Sequence, residues 1–453
     1  MKNKLKIIIF KSSFFFLIVI NFTSLNAQRN IIWTHGLAET SAAWQRYVND
    51  WNWGGKYPTT AINNVNTFHH NNNGMVNTAN DVKGVIDFEL GINNTNPNNI
   101  GIAQGVAGLA YRHIDGTTSS NNKRFGGFIT LGTSQNGVHF LDAIQDGDLL
   151  AYHNDANNKL TGIGNADNFS LNGKIWDLDD FRNAAENFAL QHFSSNLTGS
   201  NFNGTTTDLT SSSNFISNLP SNYSKPTISI YGNENADSKW RLLSSLDETP
   251  HSLGLNSVGG EDWLIAAKKM KRRYGRRVAA HVGIGILLVG VTAAATEVGG
   301  VVGLAGGGYL IYEFSIQPIS QAIKARNWFN DVDTKWRKLT GAIRTQVNSY
   351  TYNGMTQACL NNIVQYGWGW YYGSPQNQAN CWANITTVIS TQYINEIDDG
   401  LIPKSLTEMP NATNVTSLEA TGANHFELYN HPGVSLRFDQ AFNGQHDPFF
   451  KIQ

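Results

Sequence analysis

Asn99-Ile100-Gly101-Ile102-Ala103-Gln104-Gly105-Val106-Ala107-Gly108-Leu109 reads as a short apolar strand that enters a tight glycine turn and then a helix. The layout is that of the G-x-S-x-G elbow, in which a sharp strand-to-helix turn lifts a serine hydroxyl over the end of a sheet. Every position of the pattern is filled except the reactive one, so the motif reads G-I-A-Q-G. Ala103 offers a methyl group and nothing to ionise. The spacing predicts the scaffold and leaves open whether it performs chemistry.

Working outward, Asn30-Ile31-Ile32-Trp33-Thr34-His35-Gly36-Leu37 is an apolar strand ending in His-Gly, with Trp44 beyond it. After the elbow comes Phe128-Ile129-Thr130-Leu131-Gly132-Thr133-Ser134, a further strand ending in a small-residue turn. Near the C-terminus stand Asp399-Gly400-Leu401-Ile402-Pro403-Lys404-Ser405 and Gly422-Ala423-Asn424-His425-Phe426-Glu427. In this order the motifs resemble the α/β-hydrolase superfamily, and within it the lipase and GPI inositol-deacylase-like branch. The first late segment is similar to that branch's D-G-x-V-P-x-S stretch, and the second to its G-x-x-H stretch.

The resemblance implies an α/β fold with a mostly parallel central sheet flanked by helices and a large, mainly helical insertion serving as lid or cap. It implies Asp399 as the acid, His425 as the base and Ala103 at the nucleophile position. The backbone N–H groups of Leu37 and Gln104 are the implied oxyanion donors. One departure is the turn after the elbow's neighbouring strand, Gly-Thr-Pro in that branch and Gly132-Thr133-Ser134 here. Ser134 stays open as an alternative nucleophile, because Gly132-Thr133-Ser134-Gln135-Asn136-Gly137 resembles an elbow at a strand end. Asp237 stays open as an alternative acid, because it follows the β-branched strand Lys225 to Gly232 directly. With alanine in place of serine no acyl-enzyme can form. Two functions follow as expectations: a lipase- or esterase-like protein with weak or lost catalysis on an ester or acyl lipid, or a non-catalytic relative that binds lipid, membrane or a partner protein.

Acidic and basic residues nearly cancel, 34 against 33, so no global field favours nucleic acid. A basic start, an apolar run from Phe14 to Ile20 and Leu25-Asn26-Ala27 describe a signal peptide over residues 1–27 and an exported protein, whether secreted, periplasmic or on the cell surface. Lys11 splits the apolar stretch and leaves it too short for an anchor. Cys359 and Cys381 are the only cysteines. In an exported chain their spacing suits a disulfide closing one loop of about twenty residues, contributing roughly 3 kcal/mol by loop entropy.

The expected organisation is a core over residues 28–245, an insertion over 246–395 and a return to the core over 396–453. Within the insertion Lys268, Lys269, Lys271, Arg272, Arg273, Arg276 and Arg277 form a dense basic run. Apolar and glycine-rich stretches follow, Val278 to Thr296 and Val298 to Tyr312. Residues 268–312 read either as a helical hairpin packed as a lid or as a hairpin that inserts into an anionic membrane. The aromatic segments Trp328 to Trp336 and Tyr366 to Tyr372 read as the core of a small helical subdomain. His69-His70 lacks carboxylate neighbours, so no metal site is expected, and no cofactor is implied.

Overall fold

The structure is a computed structural model that describes residues 29–37, 40–48, 62–69, 73–91, 98–117, 124–161, 163, 168–186, 203–221, 224–234, 238–248, 261–282 and 317–452. The expected signal peptide, most of the apolar hairpin and Asp237 lie outside the described residues.

The described strands are β1 (Arg29–Thr34), β2 (Ile62–Thr67), β3 (Ile100–Gln104), β4 (Gly127–Leu131), β5 (Phe169–Leu171), β6 (Lys174–Trp176), β7 (Thr227–Asn233), β8 (Ile343–Met355), β9 (Trp382–Asn395) and β10 (Val415–Thr421). Six of them form one all-parallel sheet in the order β2-β1-β3-β4-β7-β10. Its inner strands β3, β4 and β7 are buried at every residue, as parallel strands covered on both faces must be. The chain is an α/β protein.

Alternate residues feed opposite faces of the sheet. Ile31, Trp33, Ile102, Ile129 and Ile230 join Phe438 and Phe442 of a C-terminal helix, Pro432–Phe442. Ile32, Ala103 and Phe128 face helices α1 (Met75–Leu90) and α2 (Val106–Thr117). Gly101 is required here, because a Cβ would lie 2.6 Å from the Tyr111 ring. Tyr111 is buried yet satisfied, its hydroxyl donating to the Ile32 carbonyl at 2.9 Å.

The sheet order reverses between β1 and β3. The chain runs out from β1 to β2, then returns to the other side of β1 to lay down β3. In open α/β sheets such a reversal leaves a crevice beyond the carboxyl ends of the strands, where ligands bind.

Outside the central sheet the chain is partly helical, with helices from both sides of position 246, and partly something else. Helices α3 (Asp148–Leu160), α4 (Ser238–Glu248), α5 (residues 262–282) and α6 (Gln317–Leu339) bury Tyr152, Trp240, Trp263, Trp328 and Trp336 in one aromatic cluster. The segment Trp328 to Trp336 is thus core. Beyond α6 stands an antiparallel ribbon, β8 paired with β9, both strands mostly exposed. Its Thr, Val, Ile and Tyr residues favour the extended backbone, which explains a ribbon where helix is expected. At the ribbon's tip three short helices carry Tyr366, Trp368 and Tyr372 exposed and only Tyr371 of that group buried. Cys359 and Cys381 are joined there in a disulfide. Among the described residues no helix is long and apolar enough to cross a membrane.

Candidate functional site

The site stands at the reversal point and is assembled from loops far apart in sequence. β3 keeps its ladder through Gln104: Ala103 lies opposite Thr34 on one side and Thr130 on the other, and Gln104 lies opposite Leu131. The turn comes at Gly105, whose φ is +51°, and α2 starts at Val106. A left-handed φ in one residue between a strand and a helix is how the chain turns this sharply, and glycine adopts it at least cost.

Ala103 is therefore a sheet residue. It is fully buried, packed with Ile32, Val82 and Tyr111 on the α1/α2 face. Gly105 is the residue at the mouth. An ideal Cβ built there lies 3.9 Å from His425 Nε2 and 3.9 Å from Gly36 Cα, with no other contact under 4 Å among the described residues beyond its chain neighbours.

His425 is oriented through its other nitrogen. Nδ1 donates to Asp399 Oδ2 at 2.8 Å. The side chain of Asp399 is 1% exposed. Its second oxygen accepts the backbone N–H groups of Ile402 at 2.6 Å and Leu401 at 3.1 Å. A buried carboxylate with both oxygens occupied holds the imidazole in the tautomer whose Nε2 accepts a proton. The His425 N–H also donates to the Asp399 carbonyl at 2.8 Å, so the two loops are tied by backbone as well as side chain.

Two more glycines make room for this pair. A Cβ on Gly132 would meet Asp399 Oδ2 at 3.0 Å and His425 Cε1 at 3.1 Å. One on Gly232 would stand 2.4 Å from the Ala423 carbonyl oxygen and 2.7 Å from Asp399 Cβ. The pair packs directly against the ends of β4 and β7, and only glycine leaves the space.

Charged side chains from α4 and α6 clamp both loops. Arg241 of α4 donates to the Gly422 carbonyl at 3.0 Å and pairs with Glu427 at 3.1 Å and Glu234 at 2.7 Å. Burial raises the Glu234 carboxyl to about 8; Arg241 pulls it down and Glu427 pushes it up. Asn424 donates to Ser245 Oγ at 2.6 Å. On the acid's side, Arg337 pairs with Asp398 at 2.7 Å and the Trp336 indole donates to the Gly400 carbonyl at 2.7 Å. Burial lifts the Asp398 carboxyl to about 6, against the pull of Arg337 and the Gly400 N–H.

The remaining expected residues fall as follows. Leu37 is half-buried in the loop after β1 and packs against the cluster that holds Ala103. The Gln104 side chain is buried and its Nε2 donates to the His425 carbonyl at 3.4 Å. His35 is buried and stacked on His69 at 4.1 Å, its Nδ1 3.0 Å from the Gly36 carbonyl oxygen. Burial, with His69 beside it, lowers its pKa to about 4. Ser134 is buried with its hydroxyl turned onto the Gly137 carbonyl. Cys359 and Cys381 are at the ribbon tip. The structure thus brings together His425, Asp399 and Gln104. The residues that sequence reasoning passed over are Gly105, Gly132, Gly232, Arg241 and Arg337. For Gly105 a signal existed, since a glycine immediately before a helix-forming run is the natural place for the turn.

Comparison of the chain with protein-family models, with curated proteins and with solved structures finds no match.

Proposed function

We propose that this chain is an α/β-hydrolase-fold protein of lipase-like lineage, built for an ester or acyl-lipid ligand, whose nucleophile position is Gly105. The strand order, with its reversal between β1 and β3, fits that fold. So does the chain order of turn, acid and histidine. The observation that carries the reading is His425 Nε2 facing the bare Cα of Gly105, with Asp399 behind the imidazole. Ala103, expected from the motif alone, is replaced in this reading because it is part of the ladder and its methyl points into the core.

The chemistry follows from what is left. Without a hydroxyl at residue 105 no covalent acyl intermediate forms. His425 would instead act as general base on water attacking a bound ester. Backbone N–H groups from Leu37 and from Val106, the residue after the turn, would receive the oxyanion. Triad knockouts of serine hydrolases retain roughly 10³–10⁴-fold over water by such means, so the native protein would be a feeble esterase or a binding protein.

Gly105→Ser restores the absent group. Among the described residues its Cβ meets no atom closer than 3.9 Å beyond its chain neighbours, so the cost is the positive φ, about 1 kcal/mol. Hydrolysis of a short-chain p-nitrophenyl ester should rise at least about a hundredfold, and adding His425→Ala should remove the gain. An inert, folded Gly105→Ser leaves the protein a binding module with a remodelled cleft. Loss of native esterase activity in Ser134→Ala would instead make Ser134 the nucleophile and refute the reading.

A further inference from the structure

Helix α5 has two chemically opposite faces. Trp263, Ala266, Ala267, Met270 and Tyr274 recur at three- and four-residue intervals and are buried in the aromatic cluster. Lys269, Arg272, Arg273 and Arg276 recur at the same intervals and are exposed. Seven of the chain's 33 basic residues fall between positions 268 and 277, so a near-neutral protein carries one local field of high positive charge.

This face is shaped as well as charged. Phe169 of β5 forms one wall, its ring centroid 5.6 Å from Lys269 Nζ and 5.4 Å from Arg273 Cζ. Arg273 is held in place by donating to the Asn168 carbonyl at 2.6 Å. Lys269, Arg272, Arg273, Arg276, Phe169 and Ser170 line a groove of about 440 Å³, with no acidic side chain among the described residues that form it. Arg272 lies on the ridge between this groove and a second one of about 280 Å³ lined by Lys268, Lys271 and two aromatic rings. A merely solvated basic face would interleave carboxylates to relieve repulsion. Here four cations converge on one concavity.

We propose that this groove binds a phosphoryl-bearing anion. A single carboxylate satisfies one guanidinium fork. A phosphoryl group presents three strongly accepting oxygens and up to two charges, so several forks converge on it from different sides. Ser170 supplies a neutral donor at the rim, and Phe169 holds two of the cations by their faces. The same chemistry is offered by a phospholipid headgroup and by a soluble polyphosphate. The proposal is independent of the reading of the cleft.

The test uses the mature chain and two probes, inorganic tripolyphosphate and vesicles of phosphatidylcholine with or without phosphatidylglycerol. Affinity is measured by calorimetry and flotation at low and high salt. Native protein should bind at least one probe, more weakly at high salt, because exposed charges are screened over about 10 Å. R272Q/R276Q should weaken that binding by at least about tenfold, since two charge-assisted contacts are lost. The exposed control Lys451→Gln should bind as native. Preference for phosphatidylglycerol vesicles identifies a lipid headgroup; binding of tripolyphosphate alone identifies a soluble ligand. Absence of both, or R272Q/R276Q binding like native with an unchanged melting curve, overturns the proposal. Vesicle binding indifferent to salt and to R272Q/R276Q overturns it too, by assigning the contact to apolar sequence.

Discussion

The carboxyl end of the central sheet and the β8–β9 ribbon are built on opposite terms. In the sheet, residues 36, 105, 132, 232, 399 and 425 come within contact of one another although most are separated by tens of positions in the chain. At residues 132 and 232 space is the scarce quantity, and glycine is chosen by what a Cβ would strike. In the ribbon, each strand pairs with its sequence neighbour, both faces are mostly exposed, and Arg344 is the only charged residue from 343 to 395. The ribbon's tip is held by a disulfide. The difference separates a region where identity is dictated by tertiary proximity from one where local pairing suffices.

That contrast can be broken by experiment. The largest effect expected in stability concerns His35, on the loop flanking the site. Its pKa is lowered to about 4 in the folded protein. Between about 4 and the unfolded value near 6.5 the unfolded chain binds a proton that the native state does not, so stability falls as pH drops through this window. The lowering corresponds to about 3 kcal/mol by 1.36 kcal/mol per unit. Asp398, raised to about 6, and Glu234, raised to about 8, act in the opposite sense, being favourable at low pH. Comparing native protein with His35→Gln by urea unfolding at several pH values isolates the histidine. Parallel curves for the two proteins would show that the ring is not buried neutral.

A middle-sized effect is expected at Gly232. A methyl there strikes a backbone carbonyl at 2.4 Å, so Gly232→Ala should cost about 2 kcal/mol and displace the Asp399 loop. A chemical-denaturation midpoint matching native protein would remove the claim that proximity selects these glycines. The smallest effect belongs to the ribbon. Cys359→Ser with Cys381→Ser should loosen amide-exchange protection at the tip and lower global stability by less than about 1 kcal/mol, although the loop-entropy figure for a free chain is about 3. Global unfolding on loss of the disulfide would mean that the ribbon and the core form one cooperative unit.

The two regions are also unequally legible. Strands β1, β3, β4 and β7 announce themselves as β-branched runs because both faces are buried, and the sequence separation of Asp399 and His425 is no obstacle once motif order is read. The register of the elbow is harder. With serine absent, Gly101-Ile102-Ala103-Gln104-Gly105 and Ala103-Gln104-Gly105-Val106-Ala107 are both small residues at alternate positions. Only the extent of the β3 ladder and the position of His425 distinguish them, and both are tertiary facts. The ribbon reads as helix because its strands have no buried face, hence no apolar alternation to betray a period of two. The clamps Arg241 and Arg337 carry little local signal, since Arg241 finds Glu427 and Arg337 finds Asp398 across the fold.

Residue 105, and not residue 103, faces the oriented histidine. Purified Gly105→Ser and Ala103→Ser should each be treated with a fluorophosphonate and digested for peptide mass analysis. An adduct is expected on the serine introduced at position 105, lost when His425→Ala is added, and none on the serine introduced at position 103. Labelling at position 103, with position 105 unmodified in a folded Gly105→Ser protein, would contradict it.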